Sequence, residues 1–216
     1  MKRKLFIVLL LLAIAGAATW YFDGIHGDGI IKTEDRPVAD FSKVTITGAY
    51  TIIWSRGKTA LSITTDQNLL PHITSDVSNG TLRIRSEKSL HPTKNLSITL
   101  SSDSLTEADL TGANTFKAAQ LSGPELKIHA AGASTIHLDG SVTKLDVHLT
   151  GANKLHAESL QAQTANVSVT GASSAHVNVT EALKASITGA GSITYSGHPL
   201  KTEQSITGIG SIRPQP

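Results

Sequence analysis

Residues 149 to 159 read LTGANKLHAES, a Thr-Gly-Ala-Asn corner set between two runs in which apolar and polar residues alternate. The phrase returns as LTGANTFKA at 110–118, AAGASTIHL at 130–138, VTGASSAHV at 169–177, ITGAGSITY at 187–195 and ITGIGSIRP at 206–214. The six glycines, Gly112, Gly132, Gly151, Gly171, Gly189 and Gly208, follow one another at spacings of 20, 19, 20, 18 and 19 residues. A period near 20 held over so many copies is the mark of a solenoid.

The columns of the repeat give its inside. Two residues before each glycine stand Leu110, Ala130, Leu149, Val169, Ile187 and Ile206; four after it stand Phe116, Ile136, Leu155, Ala175, Ile193 and Ile212. Leu126, Leu145, Ala165 and Leu183 fill a third apolar column six residues before the later corners. Apolar columns at period two mean strands with one buried face, whereas a helix needs period 3.6. Stacked copies lie parallel, about 4.8 Å apart, and their apolar columns merge into one core. The expected fold is all-β: a parallel β-solenoid, or β-helix, of about 19–20 residues per rung.

Glycine recurs because each coil turns through a positive φ or a backbone approach that a Cβ would oppose. Asn114, Ser134, Asn153 and Ser173, two residues after their corners, can bond the turning backbone and form a ladder along the axis. Gly48, in ITGAYTI, repeats the phrase but precedes Gly112 by 64 residues. Either a segment is inserted there or degenerate turns are hidden in it. Residues 52–105 hold less regular strands, at Leu61–Thr64, Thr81–Arg85 and 95–100, and are expected to continue or cap the solenoid. Residues 106–213 are its regular part, and Pro214 and Pro216 can end the ladder.

Lys2, Arg3 and Lys4 precede an apolar run that ends in small residues and then Trp20, Tyr21 and Phe22. Residues 1–22 fit a cleaved secretory signal or an uncleaved anchor, with residues 5–22 held in the inner membrane. Either way the chain beyond Phe22 is exported, to the periplasm or cell surface, with 23–40 read as a linker and 41–213 as the solenoid domain. Without the three leading cations, 16 basic residues face 17 acidic ones, so the exported part carries a net charge near −1. Nothing in that balance favours nucleic acid, and membrane contact is expected only through the N-terminal segment. The absence of cysteine rules out disulfides and thiolate chemistry.

With these features in place, the chain resembles the bacterial family of autotransporter-adhesin head domains called the GIN domain. The resemblance runs from about Phe41 to Ile212 and rests on FSKVTITGAYTIIW, DQNLLPHITSDVSNGTLRIRS, LSITL leading to LTEADLTGANTF, and the later corners. It implies a β-solenoid on the cell envelope, with adhesion proposed and no catalytic residues to carry over. The stretch up to Pro216 shows no set of alternating strands for an outer-membrane barrel, so the autotransporter half of the label is not transferred.

Histidine is the one unusual functional residue type. Lys117, His137, His156, His176, Thr194 and Arg213 form an outward column five residues after the corners; Asp109, His129, His148, Ser168, Ser186 and Ser205 form another three residues before them. These imidazoles are the candidate surface-binding ladder. Parallel projection argues against convergence on zinc, no carboxylate column is expected beside them, and no metal or cofactor site is expected. Arg83 and Arg85 read as the charged face of an edge strand. Asp103, Glu107 and Asp109 are near in sequence but precede the first regular corner, so a polysaccharide-active enzyme is disfavoured. The expected function is that of a non-enzymatic, adhesin-like envelope protein that binds a surface partner or glycan; the alternative is a structural or assembly scaffold contacting another envelope protein. The oligomeric state is not fixed by these residues.

Overall fold

The computed structural model describes residues 24 to 215, so the signal or anchor read at 1–22 lies outside the described residues. β1 (Ile25–His26) and β2 (Ile31–Asp35) precede β3 (Lys43–Gly48) and β4 (Thr51–Arg56), the two arms of the first corner. An inserted segment comes next: β5 (Ala60–Asp66), a 3-10 turn at Leu70–His72, β6 (Ile73–Ser78), β7 (Thr81–Ser86), β8 (Leu90–His91) and β9 (Ser97–Ser102). Regular coils then run through β10 (Glu107–Gly112), β11 (Thr115–Gly132), β12 (Thr135–Gly151), β13 (Lys154–Gly171) and β14 (Ser174–Gly189). They close with β15 (Ser192–Gly197), β16 (Lys201–Gly208) and β17 (Ser211–Pro214). The fold is an all-β parallel solenoid of about five turns.

Every regular coil pairs with the next in parallel, and the corners stack in register from Gly48 through Gly112, Gly132, Gly151, Gly171 and Gly189 to Gly208. Both suggested reasons for glycine hold together. Gly171 has φ +103, and a Cβ there would sit 2.6 Å from the carbonyl oxygen of Gly151. The apolar columns Leu110 to Ile187 and Phe116 to Ile193 are buried, forming one core along the axis. Uneven spacing of the corners is absorbed away from them, where register shifts fall between Ala118 and Leu121, His137 and Asp139, and Ala157 and Gln161. A bulge there changes rung length without turning the core columns outward.

Asn114, Ser134, Asn153 and Ser173 are buried, and each accepts a backbone N–H from the rung before it. Tyr50 N–H donates to Asn114 Oδ1 (3.2 Å), Asn114 N–H to Ser134 Oγ (3.2 Å), Ser134 N–H to Asn153 Oδ1 (2.8 Å) and Asn153 N–H to Ser173 Oγ (2.9 Å). The Asn153 amide also donates to Thr150 O at 2.8 Å. Groups that would be costly to bury unpaired are thereby satisfied within the corner.

The 64-residue gap is an insertion, because β10 lies directly on β3. On the other side of the first coil, β7 runs parallel to β3 and β9 parallel to β4, adding a layer that covers this end of the core. β6 and β5 then pair antiparallel to β7 and β9. The Asn79-Gly80 turn between β6 and β7 has φ +51 and +70, the positive pair that a two-residue hairpin demands. β7 therefore has a neighbour on both sides, which corrects the reading of Arg83 and Arg85 as lying on an edge strand. The hairpin makes β6 the outer strand.

Residues 24–35 also differ from a linker. β1 pairs with β8 and β2 with β5, so this stretch straps the inserted segment. Buried Asp66 fastens it, accepting from Gly29 N–H (2.8 Å), Thr93 N–H (2.9 Å) and Thr93 Oγ1 (2.6 Å). Those donors, the Thr93 hydroxyl first, hold the Asp66 carboxyl below the usual carboxylate range. Arg36 ties the same strap to Leu70 O at 2.8 Å.

Candidate functional site

After each corner the chain alternates inward and outward, so the fifth residue on points to solvent while its neighbours fill the core. In-register pairing then builds one column from Ile53 through Lys117, His137, His156, His176 and Thr194 to Arg213. The His137 and His156 rings stack at 4.7 Å with 9° between planes, and His156 and His176 at 5.9 Å with 4°. The backbone repeat sets this spacing, and the side chains conform to it. Burial lowers the His137 imidazole below its ordinary pKa, with the neighbouring His156 and Lys117 acting the same way.

The expectation that no carboxylates flank these imidazoles is overturned. Glu158 Oε1 lies 3.5 Å from His156 Nδ1 and 3.7 Å from His176 Nδ1. Asp139 joins Lys117, His137, His156, Glu158 and the exposed Ile53 around a depression of about 380 Å³. The signal lay in the sequence as His137-Leu138-Asp139 and His156-Ala157-Glu158, since a residue two further along a strand shares its face. Ser159, beside Glu158, also lines the depression, at the bend where the register shifts.

The profile of the family described as "Putative auto-transporter adhesin, head GIN domain" matches residues 40–199. The chain belongs to this family. Among solved structures, this GIN domain is similar to a putative adhesin from Bacteroides fragilis, with 23% identity and a TM-score of 0.75 over 89% of this chain and 100% of that one. It is also similar to a putative adhesin from Parabacteroides merdae, at 21% identity and a TM-score of 0.55 over 89% of this chain and 99% of that one. These likenesses show a shared fold. A search of curated proteins finds no match.

The second imidazole column of the GIN domain lies on the arm that precedes each corner. His129 and His148 approach to 5.0 Å with rings tilted by 38°, and His148 Nε2 is 3.1 Å from Asp146 Oδ1. At the head of this column burial raises the Asp109 carboxyl, as does the charge of Glu107, against the opposing pull of His129 and Lys43. Glu107 itself pairs with Lys43 at 3.0 Å, and exposed Asp103 lies 3.9 Å from Arg56. Glu107 and Asp109 thus sit close to each other and to Lys43, while Asp103 takes a separate partner in Arg56.

His137, His156 and His176 are brought together by one arm, and His129 and His148 by the other. A third stack, His26 on His91 at 4.8 Å, belongs to the strap and had no repeat column to announce it. Among the described residues no group of three or more His, Asp or Glu side chains is placed to hold a metal ion. The first arm offers a polar strip with donors and acceptors in alternation above an apolar floor that includes Ala118 and Leu138.

Proposed function

We propose that this GIN domain is a non-enzymatic, adhesin-like head, exported to the cell envelope, that binds a surface glycan along the arm carrying His137, His156 and His176. The observation that carries the reading is the depression in which His137 and His156 meet Asp139 and Glu158, with His176 at its border 3.7 Å from the same Glu158 carboxylate. Sugar hydroxyls both donate and accept, so they suit carboxylates and imidazoles set side by side over apolar carbon. Membership of an adhesin-like family supports a location at the surface. The basic and apolar residues of 1–22 support export, with retention in the inner membrane as an alternative to cleavage.

A glycan array probed with the full-length protein and with its His137→Ser, His156→Ser, His176→Ser triple variant tests the reading. Binding by the wild type and its loss in a variant with unchanged far-UV circular dichroism is expected. Equal binding by both proteins would move the site elsewhere, and recovery of shortened sugar would make the protein an enzyme.

A second reading, contact with another envelope protein, is favoured by the last rung. All eight residues of β16 are exposed, and Thr202 and Gln204 stand where Leu183 and Ala185 fill the core of the rung before. An edge strand of this kind can accept a strand from a partner. Specific co-purification that is lost on substituting Ile206, 44% exposed on this strand, would support it.

A further inference from the structure

We infer that the glycan is linear and lies along the solenoid axis, one sugar after another from rung to rung, with Glu158 at the middle of its path. The inference rests on the glycan reading above and adds the ligand's shape, direction and length. Glu158 lines two depressions at once. One is the imidazole depression reaching back to Ile53 and Lys117; the other, about 670 Å³, runs forward past Tyr195, Ser196, His198 and Gln215. Apart from Thr202, on the strand that precedes the last corner, the residues lining both lie five to ten positions after a corner, so the two form one path parallel to the axis.

Its lining has the features a chain of pyranose rings requires. Outward positions on this arm repeat once per rung, as Lys117, His137, His156 and His176 do in one column; beyond it the register shifts set Asp139 beside Ser159 and Asn178 beside Gln161 and Ser196, so each rung still adds a polar row next to the imidazoles. A sugar ring is about as long as a rung is high, so successive sugars meet successive rows of donors and acceptors. Carboxylates accept from neighbouring hydroxyls in pairs, and the Gln215 amide in the forward depression offers both a donor and an acceptor. Tyr195 continues the inward column after Val177 and packs on the core, and the part of it left exposed beside Pro199 and Pro214 supplies an apolar face for sugar C–H groups.

Charge and backbone chemistry narrow the occupant. Lys117 and Arg213 balance Asp139 and Glu158, so the strip favours a neutral chain. An extended peptide would seek free N–H and C=O groups, but the strands along this path are already paired to the rungs on both sides. From the Lys117 rung to the Tyr195 rung there are four steps, about 19 Å at the ordinary strand separation, or roughly four sugars.

The test is affinity against chain length. Full-length protein is titrated with cello-, chito-, manno- and malto-oligosaccharides of one to six sugars. In at least one series affinity should rise at least tenfold between two and four sugars and then level off. Lys117→Ala and Tyr195→Ala, at opposite ends of the path, should each weaken the four-sugar ligand several-fold and leave the two-sugar ligand affected by no more than one of them. Glu158→Gln should weaken all lengths. Equal affinity at two and six sugars, with the imidazole triple variant still defective, would overturn the axial path while leaving the glycan reading intact. No binding in any series, together with a blank array, would overturn both.

Discussion

Gly151→Val tests the account of the corner most directly. Gly151 has φ +107, and a Cβ built on it would overlap the carbonyl oxygen of Gly132. That oxygen accepts the Ala152 N–H at 2.8 Å, so the clash falls on an atom that joins two rungs. An L-residue at positive φ costs about 1–2 kcal/mol. Displacing the carbonyl loses a hydrogen bond worth about 1 kcal/mol and up to about 3 kcal/mol if its partner stays unsatisfied. Together these give about 2–5 kcal/mol, which reaches the severe end for one substitution. For a domain of this size the middle of that range is a fall in Tm of about 10 °C. Gly80→Ala is the control: its φ is +70, yet nothing lies within 4 Å of the added Cβ. It should cost about 1 kcal/mol, a fall of about 2–4 °C, from conformational strain alone. Thermal melts of both variants separate strain from close approach. A Gly151→Val protein melting no lower than Gly80→Ala would refute the argument that rung stacking forbids a Cβ.

Asn153→Ala removes the acceptor of Ser134 N–H and the donor to Thr150 O, and chemical denaturation should show a loss of about 2 kcal/mol. Asn153→Ser, copying the neighbouring rungs, should restore part of it. His137 has a depressed pKa, so the folded state resists its protonation. Its stabilising contribution is therefore complete above the ordinary imidazole value of 6.5 and lost as pH falls through the lower folded value. Melting temperature should drop between pH 7.5 and 5.5 and drop less in His137→Ser; identical profiles would contradict this. Asp66 is likewise depressed, so its contribution is present above the ordinary value of 3.8 and disappears as pH falls through the folded one. Asp66→Ala should therefore speed amide exchange in the 24–35 strap at neutral pH while the rungs 107–189 stay protected. Uniform loss of protection would show that the strap and solenoid open as one unit.

The corners and core columns were legible because each rung repeats the measurement. Six glycines followed by buried side chains at fixed offsets leave one register that keeps Leu155, Ala175 and Ile193 inside. The inserted segment was legible only as strands. Leu61–Thr64 and Thr81–Arg85 fall within β5 and β7, but their pairing on β9 and on β3 had no repeated column to index it. A strand that occurs once can satisfy the same alternation against several neighbours. The open edge of the first coil selects β3 for β7, and that edge is a property of the stack and not of the segment.

The candidate site was legible along the axis and hidden across it, for a physical reason. Any residue placed in an outward column must stack on its equivalent about 4.8 Å away, because the backbone ladder imposes that spacing. Stacked imidazoles at His137, His156 and His176 thus come with the fold, and stacking alone marks no function. Lateral neighbours are different. Whether Glu158 reaches His156 and His176 depends on where the arm bends, and the bend is where rungs of 18, 19 and 20 residues absorb their differences. Deleting one residue between Leu160 and Thr164 should therefore leave the corner ladder paired while altering the groove beside the imidazoles. Glycan affinity should fall by more than tenfold with little change in Tm. If instead stability collapsed and affinity per folded molecule held, the bend would belong to the core and the site would be set by the corners.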